Sequence, residues 1–144
     1  MTPSVRDVLQ GCAIALGRPM PPEAGPDYAA SRMGMVSMLT LLAAGEAEQC
    51  AGAAIRENAA IRAVLDGAAV KYDARLAGRL AAAAAGEDTD LSVPALDGAN
   101  ARLRGLLIEL HEAVEAANDA ATDAQILALY GRMAQLRRLA LPGG

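Results

Sequence analysis

Alanine supplies most of the apolar mass of this sequence, and that narrows the folds open to it. Alanine is the best helix former and a poor filler of space, so an alanine-rich core is made by bringing helix backbones close together. Residues that favour strands are few, and no alternating run of strand length occurs. The expected class is all-α: an antiparallel helical bundle of about four main helices with an N-terminal helical arm. A chain of 144 residues fits one domain and buries enough surface to need no metal or disulfide.

Charge and aromatic content exclude several functions. The net charge of -4 opposes non-specific nucleic-acid binding, which needs a basic field. The aromatics are Tyr28, Tyr72 and Tyr130, too few for a base-stacking platform. The first residues, Met1 to Asp7, lack a basic segment followed by an apolar one, so no secretory signal is expected. The apolar stretch Met33 to Ala44 is too short to span a bilayer and is bracketed by Arg32 and Glu46. Cys12 and Cys50 form no C-x-x-C pair and read as reduced thiols of a cytoplasmic protein.

Helical periodicity recurs along the chain. Ser4 is placed to cap a first helix to Leu16, with Asp7 near its positive end. Four of the seven prolines follow, at 19, 21, 22 and 26, and predict a stiff connector. Residues 1–26 are thus expected to be a helical arm with its connector, and 27–144 the bundle. Asp27 is expected to cap a helix from Tyr28 to Ala44 that is apolar on every side, kinked at Gly45 and resumed to Asp66. Ala47, Ala51, Ala54, Asn58, Ile61 and Leu65 make a seam there, with Asn58 at a register-setting position and Arg56, Glu57 and Arg62 on a solvated face. Further helices are expected from Val70 to Ala85, from Val93 to Asn118 with a seam through Leu96, Ala99, Leu103, Leu106 and Leu110, and after a Thr122/Gln125 capping box. Pro142 to Gly144 reads as a frayed end.

The candidate chemistry is sparse. His111 is the only histidine; Glu115 stands where a zinc-protease motif needs a second one, and Ile108 breaks a di-iron Glu-x-x-His pattern. His111 is therefore expected to pair with Glu115 one turn on. Glu87, Asp88 and Asp90 miss the calcium-loop spacing and read as a solvated acidic turn. Arg132, Arg137 and Arg138 read as compensation of a helix C-terminus. No catalytic residue, metal ligand or cofactor is expected.

The segments Arg56-Glu57-Asn58-Ala59-Ala60-Ile61-Arg62 and Leu96-Asp97-Gly98-Ala99-Asn100-Ala101-Arg102-Leu103-Arg104 resemble small all-helical bacterial proteins of unknown function. The resemblance implies a bacterial, cytoplasmic protein and brings no functional residue with it. The expected function is protein association, most simply as a homodimer through Met33, Thr40 and Leu41, with Met35, Val36, Leu39 and Leu42 packed inside the subunit. The alternative is a small-molecule binder or enzyme accessory whose pocket is lined by Met33, Met35 and Met38, with an arginine for an anionic group. Neither nucleic acid nor membrane is expected as a partner.

Overall fold

The computed structural model describes residues 4–69 and 71–138. The expected frayed end at 142–144, the first three residues of the N-terminus and the helix start expected at Val70 lie outside them. Among the described residues the chain is all-helical, with five helices and no strand: α1 (Val5–Gly17), α2 (Pro26–Ala68), α3 (Ala74–Ala84), α4 (Val93–Ala117) and α5 (Ala120–Leu136). None is long and apolar enough to cross a membrane. Contacts divide the described residues into two units, meeting in sequence between Gln49 and Cys50.

Helix boundaries follow local chemistry. Ser4 and Asp7 form a reciprocal cap on α1, Asp7 accepting from the Ser4 backbone N–H at 3.1 Å and Ser4 from that of Asp7 at 3.2 Å. Helix α2 runs uninterrupted through Gly45, where the sequence predicts a kink; Pro26 opens it and Asp27 sits in its first turn. α3 starts later than expected because Asp73, accepting from the backbones of Arg75 and Leu76, caps it better than anything at 70. Asn118 ends α4 in the left-handed conformation, φ 52°, which asparagine tolerates. α5 is capped by Asp119, not through a Thr122/Gln125 box, because the tight turn after Asn118 brings the Asp119 carboxylate onto the Thr122 N–H at 3.1 Å.

In the first unit, α1 lies antiparallel to the early part of α2. The Cys12 thiol is 4.0 Å from the Val36 carbonyl oxygen, and Arg32 donates to the Arg18 carbonyl at 3.0 Å. This two-helix layer buries little: Cys12, Val36 and Ala43 are its fully buried apolar residues. Met35 and Leu39 are exposed, where the sequence reading places them inside the subunit. The reason is geometric. Among the described residues of this unit, α1 is the one helix beside the early part of α2, and one neighbour covers one stripe.

The second unit is closed by contrast. Ile61, Leu65, Leu80, Leu103, Leu107, Leu110, Val114, Ile126, Leu129 and Met133 form its core. Helices α4 and α5 are antiparallel, since His111 meets Asp123 while Asn100 meets Arg137. The buried seam of α4 is Leu96, Asn100, Leu103, Leu107, Leu110 and Val114, one position away from the phase that Leu106 suggests. It matches the seam of α2, where Ala54, Asn58, Ile61, Leu65 and Ala68 are buried. Both repeat at four and three residues, the spacing of knobs-into-holes packing.

Candidate functional site

Each of these seams carries an asparagine, and the two asparagines meet. Asn100 donates to Asn58 Oδ1 at 2.9 Å and to Glu57 Oε1 at 2.8 Å. Asn58 donates in turn to Asp88 Oδ2 at 3.1 Å. Glu57 and Asn58 are fully buried, and Asn100 is 5% exposed. Asn58 thus lies on the seam as its spacing predicts.

Glu57 corrects the sequence reading, which places it on a solvated face. Its carboxylate takes Asn100 and Arg104 on Oε1, the latter at 2.9 Å, and Arg137 on Oε2 at 2.7 Å. The buried arc of α2 is wider here than one seam, because α4 and the end of α5 both close on it. Burial pushes the Glu57 carboxyl up. The hydrogen bonds from Arg137 and Asn100, with the charges of Arg104 and Arg137, pull it further down and leave it below the ordinary glutamate range.

In the acidic turn Glu87 and Asp90 are exposed as the sequence reading has them, and Asp88 is the exception. Asp88 is held by both terminal nitrogens of Arg62, at 3.0 Å and 2.6 Å, and its side chain is 8% exposed. Arg62, also expected on the solvated face, is mostly buried with its Nε unpartnered. The Arg62 hydrogen bond holds the Asp88 carboxyl low, against the opposing effect of burial. Glu57, Asn58, Arg62, Asp88, Asn100, Arg104 and Arg137 therefore form one network joining α2, the loop before α4, α4 itself and the cap of α5. Arg137 belongs to it, while Arg132 and Arg138 are exposed.

A second polar cluster surrounds the start of α5. Asp119 accepts from the Thr122 hydroxyl at 2.6 Å and from the Tyr72 hydroxyl at 3.2 Å, and Lys71 donates to Thr122 at 2.8 Å. The two Thr122 hydrogen bonds and the Lys71 charge hold Asp119 far below its usual range. Nearby, His111 pairs with Asp123 at 2.9 Å; Glu115, its expected partner, stands at 3.9 Å. The carboxylate across the α4–α5 hairpin reaches the ring better than the one a turn away.

The chemistry of these groups is that of clamps. Each Glu57 oxygen already has its donors. Among the described residues no group of three His, Cys, Asp or Glu side chains is placed to hold a metal ion. Cys12 is a buried thiol outside any disulfide. An open cleft of about 430 Å³ in the first unit is lined by Arg18, Tyr28, Arg32 and Met35 among others, and by neither Met33 nor Met38. A polar cleft beside Arg79 and Glu109 lies in the second unit. Neither is lined by a residue of the Glu57 network.

The remaining conspicuous surface is apolar. Of fourteen large apolar side chains exposed among the described residues, ten fall between Leu9 and Leu41. They include all three interface candidates' neighbours Met35, Met38 and Leu39, and the candidates Met33 and Leu41 at 54% and 57% exposure. Thr40 is exposed beside them, its hydroxyl donating to the Val36 carbonyl at 2.8 Å. No family model matches the chain, and no curated protein or solved structure is significantly similar to it.

Proposed function

We propose that this chain acts through protein association, most simply as a homodimer formed by the two-helix layer of the first unit. The observation that carries the reading is the concentration of exposed apolar side chains between Leu9 and Leu41. Soluble monomers rarely leave so many large apolar side chains uncovered within so short a stretch of chain. Among the described residues the first unit is a layer of two antiparallel helices, and two such layers make an antiparallel bundle of four helices.

Charge favours a second copy as the occupant. A two-fold contact sets a surface against itself, so a charge near the axis meets its own copy. Residues 8–17 and 33–45 contain no charged side chain, so self-pairing meets no repulsion there. Helix α1, with 13 residues, is about 20 Å long; beside the matching length of α2 it offers on the order of 400 Å² before corrugation, about half of the ~800 Å² per partner of a standard stable interface, so corrugation and the longer α2 must supply the rest.

Sedimentation velocity at micromolar concentration tests this. Wild-type protein should run as a dimer, and Leu41→Asp, which places a charge in the apolar contact, should run as a folded monomer. A folded wild-type monomer at these concentrations refutes the proposal.

A further inference from the structure

Resting on that homodimer, we propose that reversible oxidation of Met33, Met35 and Met38 to sulfoxides controls self-association. The distribution of methionine sulfur motivates it. Met133 is 4% exposed in the core of the second unit. Met33, Met35 and Met38 are 54%, 64% and 51% exposed, all within six residues of α2. At 100° per residue, Met35 and Met38 share a face, and Met33 stands nearly opposite Met35. The three thioethers therefore touch both sides of the apolar helix, and any partner covering it covers at least one of them.

The chemistry balances with a hydroperoxide as oxidant. A sulfur lone pair attacks one peroxide oxygen, the O–O bond breaks, and hydrogen peroxide leaves as water. Sulfur loses two electrons and the peroxide gains them. Reduction by two thiols returns the thioether, with water and a disulfide as products. The modification turns a flexible apolar side chain into a strong hydrogen-bond acceptor. Met35 shares its cleft with Arg18 and Arg32, whereas Met33 and Met38 do not line that cleft; residues 33–45 themselves carry no charged donor, and the Thr40 hydroxyl already serves Val36. Burying it unpaired opposes association. Met20 differs: its sulfur already accepts from Arg32 at 3.2 Å, so oxidation there finds a donor in place.

Self-association and oxidation then oppose one another at every thioether that the partner covers. The full-length chain is treated with hydrogen peroxide, its sulfoxides are mapped by mass spectrometry, its helix content is checked by circular dichroism, and its dissociation constant is measured by sedimentation equilibrium. Oxidation at 33, 35 and 38 should raise that constant by on the order of a hundredfold, with helices intact. The oxidation rate on at least one side of the helix, at Met33 or at Met35 and Met38, should fall as protein concentration rises. The triple variant Met33→Leu, Met35→Leu, Met38→Leu, a volume-conserving change, should dimerise and ignore peroxide. A wild-type dimer whose three methionines oxidise fully without loss of association overturns the inference and leaves the homodimer standing. So does a triple variant that peroxide dissociates as readily as wild type. Untreated wild-type protein that is monomeric removes the homodimer, and this inference with it.

Discussion

Replacing Glu57 with glutamine keeps the shape of the side chain and removes the charge that three donors share. Glu57→Gln retains one acceptor oxygen and turns an NH₂ group toward either Arg137 or the Asn100/Arg104 pair, so one donor set faces a donor. A hydrogen bond between charged groups contributes about 1.5–3 kcal/mol, and breaking one side of a fully buried ion pair costs about 3–5 kcal/mol. Glu57 is fully buried, but the Arg104 and Arg137 side chains are 45% and 42% exposed and recover water when released. That exposure discounts the loss to about 2–3 kcal/mol. With an unfolding entropy of about 2 cal/mol/K per residue, the melting temperature should fall by roughly 8 °C. Thermal melts by circular dichroism read this directly. Acid titration supplies an independent sign. A carboxyl held low in the folded state contributes stability that is complete above its unfolded value, about 4.3, and is lost as pH falls through the folded one. Wild type and Glu57→Gln should therefore converge in stability below about pH 4. A melting temperature within about 2 °C of wild type at neutral pH, or a gap that widens in acid, refutes the clamp.

Three further outcomes follow from the same geometry. Asn58→Leu should cost about 1–2 kcal/mol in urea denaturation, because it removes two hydrogen bonds from the buried network; a stabilised variant would show that Asn58 is merely a tolerated polar residue. Gly105→Ala and Gly131→Ala, both in helix interiors with nothing within 4 Å of the added carbon, should each raise stability by about 0.5–1 kcal/mol, and a loss at either would mean that its helix surface is covered. His111→Gln should move the melting point by no more than a few degrees, about 1 kcal/mol or less for a partly exposed pair; a stoichiometric metal lost from the variant, measured by atomic emission, would give His111 a different role.

Much of the helical layout is legible in the sequence because periodicity and caps are local. Ser4 with Asp7 and the α2 seam through Asn58 follow from spacing alone. The polar network is half legible for a specific reason. Leu106 and Ala113 tempt the eye into a phase that leaves Asn100 off the seam of α4. Reading Leu96, Leu103, Leu107 and Leu110 with Asn100 between them restores the four-three repeat and pairs this asparagine with the one on α2. Glu57 and Asp88 carry no such signal. A charge beside a seam is usually solvated, and only the approach of Arg137, eighty positions along the chain, makes Glu57 a buried anchor. His111 fails similarly, since its partner Asp123 is set by the α4–α5 turn and not by helical spacing.

The apolar helix between Met33 and Ala44 poses the opposite problem. Its sequence announces burial on every side, and among the described residues between Ser4 and Gln49 the buried apolar side chains are Cys12, Val36 and Ala43. The second unit shows what a completed core looks like in the same chain: Ile61, Leu65, Leu80, Leu110 and Ile126 have no exposure at all. It holds its register with a buried polar network and leaves Ile108 and Leu127 as scattered exposed residues. Scattered residues of that kind are ordinary, whereas ten concentrated between Leu9 and Leu41 are not. Stability and association are therefore separable by experiment. Changes at Glu57, Asn58 or Arg137 should move the melting curve and leave the mass of the folded species alone. Changes at Met33 or Leu41 should shift that mass while Tm, measured where the species is monomeric, stays fixed. A charge at Leu41 that lowered the monomer's own melting point would mean that this side chain already belongs to a core within one chain.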